Sequence, residues 1–334
     1  MDKPVNSKLP QFQARFLCPK YWGVWLGIGL ARLLVYLPYT RKRKLGKWIG
    51  RLLYQFGRNR RTISQRNLTL AFPDKSSTEI EALNRQHFES LGIGFMETLM
   101  VWWGDHRKHG KNCFERQLVT FQGLENLKAA QATNRGILLL VPHFTHIDLT
   151  GLFISFLINC RPIYRPHDNP VMEYFIKKGR TIAHESDRAV QPISNRDTRT
   201  MLRALRKGEA FFFLPDQKYT AKGHLDVPFF NHLAPSNPAT SKLAKMTNAL
   251  VVPCFTRRDE TGHYTVTFLP ALDHFPSGVD YQDTLRLHHL YESEIRQNIP
   301  QYLWVHDRWN LKDKPKDYLP PSEAPFQKEN STHP

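Results

Sequence analysis

Gly136-Ile137-Leu138-Leu139-Leu140-Val141 is an unbroken apolar run that ends in Pro142-His143-Phe144-Thr145-His146-Ile147-Asp148. Apolar residues without polar alternation read as a short strand buried on both faces, which is the pattern of a parallel sheet. Pro142 cannot donate to a sheet ladder, so the strand ends there, and the apolar stretch 149–157 after Asp148 reads as a buried helix. In open α/β sheets, polar groups just past the carboxyl ends of strands commonly form the site. His143 and Asp148 are such groups.

Their spacing limits how they can meet. On one regular helix, positions five apart diverge by about 140° at roughly 100° per residue, so they face each other only if a turn lies between them. With His143 at the strand end and Asp148 in the first helical turn, the carboxylate fixes the imidazole tautomer and steadies the imidazolium. That arrangement is a base for a hydroxyl. The ordinary reading is a capping Asp beside a structural His. His146 adds a third side chain of metal-ligating type, but no second cluster stands at recognised ligand spacing.

Further strands are expected at 210–214, 249–255 and 264–269. Helical stretches are expected at 197–207, 238–248 and 281–298, and a packing helix from Ser76 to Trp103 with Ser77 as its cap and Glu79 close behind. Strands alternating with helices argue for a single α/β domain with a mostly parallel central sheet flanked by helices. The polar, proline-rich residues 313–334 read as a disordered tail.

The stretch 21–38, YWGVWLGIGLARLLVYLP, is about the minimum length for a membrane span and carries aromatic residues at both ends, interrupted by Arg32. It is expected to span the membrane or, given Arg32, to lie on it. The basic run Arg41-Lys42-Arg43-Lys44 then falls on the cytoplasmic side. The resulting division is 1–20 as an N-terminal segment, 21–38 as the membrane helix, and 39–312 as a cytoplasmic α/β domain. A formal charge of +17 calls for an anionic partner. Cys18, Cys113, Cys160 and Cys254 form no CxxC pair, so neither a disulfide framework nor a zinc site is indicated.

Three more polar clusters follow. Arg165, in the proline-bounded loop 164–170, is a residue type that binds phosphate or steadies developing negative charge; its ordinary reading is a solvated surface Arg. Arg196 and Asp197 precede the helix at 197–207, which Asp197 could simply cap. Asp216 stands at a strand end, where a site carboxylate and a turn-forming Asp are both reasonable.

In order and density, these motifs resemble those of the bacterial lipid A secondary acyltransferases, from about Leu9 to Leu311. The matching stretches include LPQFQARFLCPKYWGVWLGIG, RNLTLAFPD at 66–74, GIGFMETLMVWW at 92–103, RGILLLVPHFTHID at 135–148, YRPHDNP at 164–170, LRALRKGEAFFFLPDQ at 202–217 and QYLWVHDRW at 301–309. The N-terminal stretch looks most like the lauroyltransferase branch. The resemblance implies transfer of an acyl chain from acyl carrier protein to a hydroxyl of a Kdo-bearing lipid A precursor, at the cytoplasmic face of an anionic inner membrane, with no cofactor. It implies His143 as general base, Asp148 as its orienting partner, and Arg165, Arg196, Asp197 and Asp216 as substrate-binding residues. The chain departs from the family pattern after the PD motif, where an acidic, glycine-ending turn is common but this chain reads Asp216-Gln217-Lys218-Tyr219-Thr220, at Asp307 and Asn310, which stand among positions that are often basic, and at Asp148, where lauroyl-branch relatives often carry Glu.

Other readings are a myristoyl, palmitoyl or unsaturated-chain member acting on a penta-acylated precursor, a glycerol-phosphate acyltransferase sharing the His and Asp chemistry, and a membrane-surface binding protein. A nucleic-acid binder fits the charge alone, but no nucleic-acid motif is present and a membrane anchor has no use there.

Overall fold

The structure, a computed structural model, describes residues 11–104, 114–183, 189–312, 314–315 and 318–322. Four N-terminal helices, α1 (Trp22–Leu34), α2 (Tyr39–Phe56), α3 (Arg58–Ala71) and α4 (Ser77–Trp103), precede the sheet. The remaining helices are α5 (Phe114–Gln117), α6 (Leu124–Ala132), α7 (Ile147–Ser155), α8 (Pro170–Arg180), α9 (Thr198–Arg206), α10 (Ala239–Thr247) and α11 (Asp280–Gln297).

The central sheet has seven strands in the order β1 (Val119–Gln122), β11 (Tyr264–Phe268), β10 (Leu250–Arg258), β2 (Ile137–Leu140), β7 (Ala210–Phe213), β3 (Cys160–Tyr164), β6 (Ile193–Ser194). The five from β10 to β6 run parallel, and β11 turns back antiparallel on β10 with β1 beside it. Two short antiparallel pairs stand apart, β4 (Ile182–Ala183) with β5 (Ala189–Val190), and β8 (Leu225–Phe229) with β9 (His232–Ser236).

The expected α/β fold with a mostly parallel sheet is present. The apolar run is central strand β2, and its side chains divide by alternation between two cores. Leu138 and Leu140 join Leu205, Leu243 and Ile295 on one face, while Ile137, Leu139 and Val141 join Leu127, Leu152 and Phe153 on the other. Each of these leucines contributes about 1.5–3 kcal/mol by leaving water.

The helix at 77–103 is capped by Ser76 instead of Ser77. The Ser76 side chain accepts from the Glu79 backbone while the Glu79 carboxylate accepts from the Ser76 backbone, and this reciprocal box places the cap three residues before the Glu. Helix α2 lies close along α4. A Cβ on Gly50 would stand 2.1 Å from the Phe88 carbonyl oxygen, and one on Gly92 would stand 2.0 Å from that of Gly46. Only glycine permits that approach.

At 21–38 the outcome differs from a spanning helix. Helix α1 has 13 residues, where a span needs about 20. Past Leu34 the chain tightens into a turn, and Pro38, which has no N–H, sits ahead of α2. No helix among the described residues is long and apolar enough to cross a membrane. In the C-terminal stretch 313–334, the carbonyls of Pro315 and Pro321 accept from Arg66 and from the Leu233 backbone, which ties those points to the body. Residues 313, 316–317 and 323–334 of that expected tail lie outside the described residues, as does Cys113.

Candidate active site

Strands β2 and β7 are parallel neighbours, with Leu140 opposite Phe213. Three residues past each of these come His143 and Asp216, so the constant offset of 73 along the ladder continues into the loops and sets the two side by side. Asp216 accepts the His143 backbone N–H on one oxygen (2.9 Å) and faces Nδ1 of the ring with the other (2.6 Å). Burial would raise the Asp216 carboxyl, but the His143 charge and these hydrogen bonds outweigh it and hold the group below the usual carboxylate range. An ionised carboxylate only accepts, so Nδ1 carries a proton, and in the neutral ring Nε2 is left with the lone pair. The His143 side chain is 22% exposed and that of Asp216 fully buried. The base faces outward and its anchor does not.

The expected His143–Asp148 pair is therefore not what the structure forms. Asp148, in the first turn of α7, accepts from Arg180 Nε (2.8 Å) and from the Thr98 hydroxyl (3.2 Å). Arg180 is the last residue of α8, and the Asp148 charge raises its pKa. His143, Asp148 and Arg180 line one pocket of about 110 Å³, whose other walls are Val101, Ile147, Gly151, Pro162, Ile163, Phe212 and Leu214. Pockets for whole drug-sized ligands run to roughly 300–1,000 Å³. This one is a slot for the reacting end of a ligand, apolar except for a base and an Asp–Arg pair.

Asp216 was expected to bind substrate. Its full burial, with both oxygens turned to His143, places it behind the base instead. His146 is also buried, with both ring nitrogens occupied by Thr150 and Gln301. Burial, then the Arg258 charge, lowers its pKa to about 3, so it stays neutral.

Arg165 is exposed just past β3. Since Tyr164 pairs in register with Ser194, Arg165, Arg196 and Asp197 gather at the carboxyl ends of β3 and β6, beside a separate cleft of about 530 Å³ that Tyr164, Ser194 and Asp197 line. Asp197 caps α9 by accepting from the Thr200 backbone (3.1 Å), and that hydrogen bonding lowers its pKa. Its ordinary reading is the one the structure contains. These three residues do not line the His143 pocket.

Sequence reasoning missed Arg180, which has no signal beyond being the last basic residue of a helical stretch. It also missed how the C-terminal motif closes over the Asp216 loop. His306 Nε2 accepts from the Lys218 backbone (3.0 Å), and Lys218 Nζ reaches Asp307 (3.3 Å) and Asn310 (3.1 Å). These departures from the family pattern touch one another. Behind Asp216, burial and then the Asp216 charge push the Tyr302 hydroxyl far up, and burial lowers His306 to about 4. Both stay neutral near pH 7.

The profile of the family described as bacterial lipid A biosynthesis acyltransferase matches residues 9–311. A lipid A biosynthesis palmitoleoyltransferase of Escherichia coli K12 is 35% identical over 310 residues, covering 90% of this chain and 95% of its own. The lauroyltransferase of the same organism is 33% identical, covering 92% and 97%. A lipid A biosynthesis acyltransferase of Haemophilus influenzae is 33% identical over 327 residues, covering 94% and 98%.

Proposed function

The chain belongs to the bacterial lipid A biosynthesis acyltransferases, and from that premise we propose that it moves a lauroyl chain from acyl carrier protein onto a hydroxyl of a Kdo-bearing, tetra-acylated lipid A precursor. It does so in residues 39–312, at the cytoplasmic face of the inner membrane. His143 Nε2 takes the proton of the acceptor hydroxyl as its oxygen attacks the thioester carbonyl. Asp216 holds the ring in the productive tautomer and steadies the imidazolium. The C–S bond then breaks, the carrier's sulfur receives the proton from His143, and the ester is complete.

Arg180, held in the pocket by Asp148, provides the positive charge for the oxyanion of the tetrahedral intermediate. Asp148 thus serves the reaction through Arg180. Arg165 and Arg196, exposed at the next strand ends, are placed to bind acceptor phosphate, with Asp197 shaping that rim. The observation that carries the proposal is the Asp216-anchored imidazole opening into an apolar slot that also holds a guanidinium. The net positive charge suits an acidic carrier, a phosphorylated acceptor and an anionic lipid surface. A palmitoleoyl donor is the second reading, favoured by the 35% identity to the palmitoleoyltransferase.

The test is acyl transfer in detergent, with carrier protein loaded in turn with lauroyl, myristoyl, palmitoyl and palmitoleoyl chains. Lauroyl transfer that falls about 10²-fold or more in His143→Ala supports the assignment. Preference for another chain replaces the donor. Transfer to glycerol 3-phosphate but not to the lipid A precursor would overturn the acceptor.

A further inference from the structure

The first fifth of the chain carries nearly all of the charge imbalance. Between Lys3 and Pro73 there are fifteen Lys and Arg and no Asp or Glu, so residues 1–73 hold +14 of the net +17. Within this segment stands α1, which is apolar on two sides. Its inner side, Val24, Trp25 and Ile28, packs into a small cluster with Trp102 and Trp103 of α4 and Phe175 of α8. Trp25 also donates its indole N–H to the Phe16 carbonyl (2.8 Å).

The outer side, Trp22, Leu26, Leu30 and Leu33, is 57–67% exposed, with Tyr36 beyond it at 78%. The spacing of four, four and three residues makes one stripe along the helix. Soluble surfaces rarely leave a contiguous row of large apolar side chains in water. Helix α2 follows with Arg41, Lys44 and Lys47 exposed beside Trp48.

A lone spanning helix is surrounded by lipid, but α1 has protein along one side. At about 1.5 Å per residue, its 13 residues extend roughly 20 Å, short of the roughly 30 Å hydrocarbon core. We propose that α1 is an in-plane anchor: its outer stripe enters one leaflet of an anionic phospholipid membrane, with Arg41, Lys44 and Lys47 on the headgroups, and the chain does not cross. Basic charge and an apolar stripe in one segment are what an anionic interface binds.

The anchor also lies close to the chemistry. It packs on α8, which ends in Arg180, and on the end of α4, where Val101 lines the pocket. An acceptor drawn from that leaflet therefore reaches His143 without crossing bulk water.

This deepens the membrane assignment above, and its test reads binding and topology without acyl transfer, so the two fail separately. Full-length protein is titrated onto vesicles of phosphatidylcholine alone and of phosphatidylcholine with phosphatidylglycerol. Preference for the anionic vesicles is expected. Leu26→Glu with Leu30→Glu, both outward-facing, should weaken binding about a hundredfold with unchanged thermal unfolding. Replacing Arg41, Lys44 and Lys47 by Gln should cost about fivefold per residue on anionic vesicles only.

For topology, exposed Cys18 is labelled in a Cys113→Ser background with a membrane-impermeant maleimide, on inverted vesicles and on spheroplasts, beside a second reporter, Asp226→Cys. Labelling of both sites from the same side is the expected result. Cys18 reached only from the side opposite Asp226→Cys, or binding untouched by the Leu26 and Leu30 changes, overturns the proposal.

Discussion

Asp216 and Glu97 are each 1% exposed, but they are enclosed differently. Both oxygens of Glu97 receive Arg258 (3.0 and 2.9 Å), and Tyr264 and Tyr39 add hydroxyl donors. Every partner is itself buried, so the cluster is a closed joint between α2, α4, β10 and β11. Asp216 gives both oxygens to His143, with the buried Tyr302 hydroxyl as a further partner behind it, and the His143 side chain lines a pocket. A closed ion pair holds elements together, whereas a buried carboxylate with a partly exposed imidazole holds a reactive atom in place. The chemistry of the two acids is similar, and what differs is whether the partner has a free side.

The sharpest way to break this comparison is to neutralise each acid with its amide. Asp216→Asn should lower acyl transfer about 10²- to 10⁴-fold, because the imidazole loses its tautomer control, while the melting temperature moves little. Glu97→Gln should do the reverse. Arg258 is left buried without its counter-charge at a cost of about 3–5 kcal/mol, read by denaturant unfolding, and the protein that remains folded should turn over near the normal rate. Equal activity losses in both variants would erase the distinction.

Acid separates the regions by pH. Burial lowers His87 and His306 to about 4 and His146 and His288 to about 3. A histidine with a depressed folded pKa contributes stability that is full above its unfolded value, about 6.5, and is lost as pH falls toward the folded value. Asp216, also depressed, keeps its contribution until pH drops below about 3.9. Between pH 6.5 and 4 the protein should lose stability while the His143–Asp216 contact persists. His146→Gln should flatten that slope by at most about 1.4 kcal/mol per pH unit, measured by thermal unfolding. The smallest effect is expected from Ser76→Ala, which removes a cap remote from both acids and should cost about 1 kcal/mol with no change in rate.

Much of the fold was legible in the sequence where periodicity was strong. The apolar runs at 137–140 and 210–213, and the helices at 198–206, 239–247 and 280–297, fall within a residue or two of expectation. Strand β3 is not among the expected strands: its last residue, Tyr164, reads as the start of a proline-bounded loop, and Pro162 lies inside it, yet it pairs with β7 in a short ladder. The site was half legible. His143 announced itself at a strand end, but its partner was sought at Asp148, five residues away, because sequence distance is what a reader sees. The ladder offset that delivers Asp216 appears only once β2 and β7 are known to be neighbours, and β3 and β6 lie between them along the chain. Helix α7 meanwhile presents Asp148 to Arg180, thirty-two residues on, a partner no local pattern marks. Lys218 read as a departure from the family, as did Asp307 and Asn310; only their contact shows that each accommodates the other.

The most direct test is a pair of double-mutant cycles on acyl-transfer rate, one using His143→Ala, Asp216→Asn and their double variant, the other using His143→Ala, Asp148→Asn and theirs. If Asp216 acts through the imidazole, its replacement should cost nothing further once His143 is gone. Losses that simply add, or a cycle in which Asp148 rather than Asp216 is silent without His143, would contradict the assignment of Asp216 as the residue that positions the base.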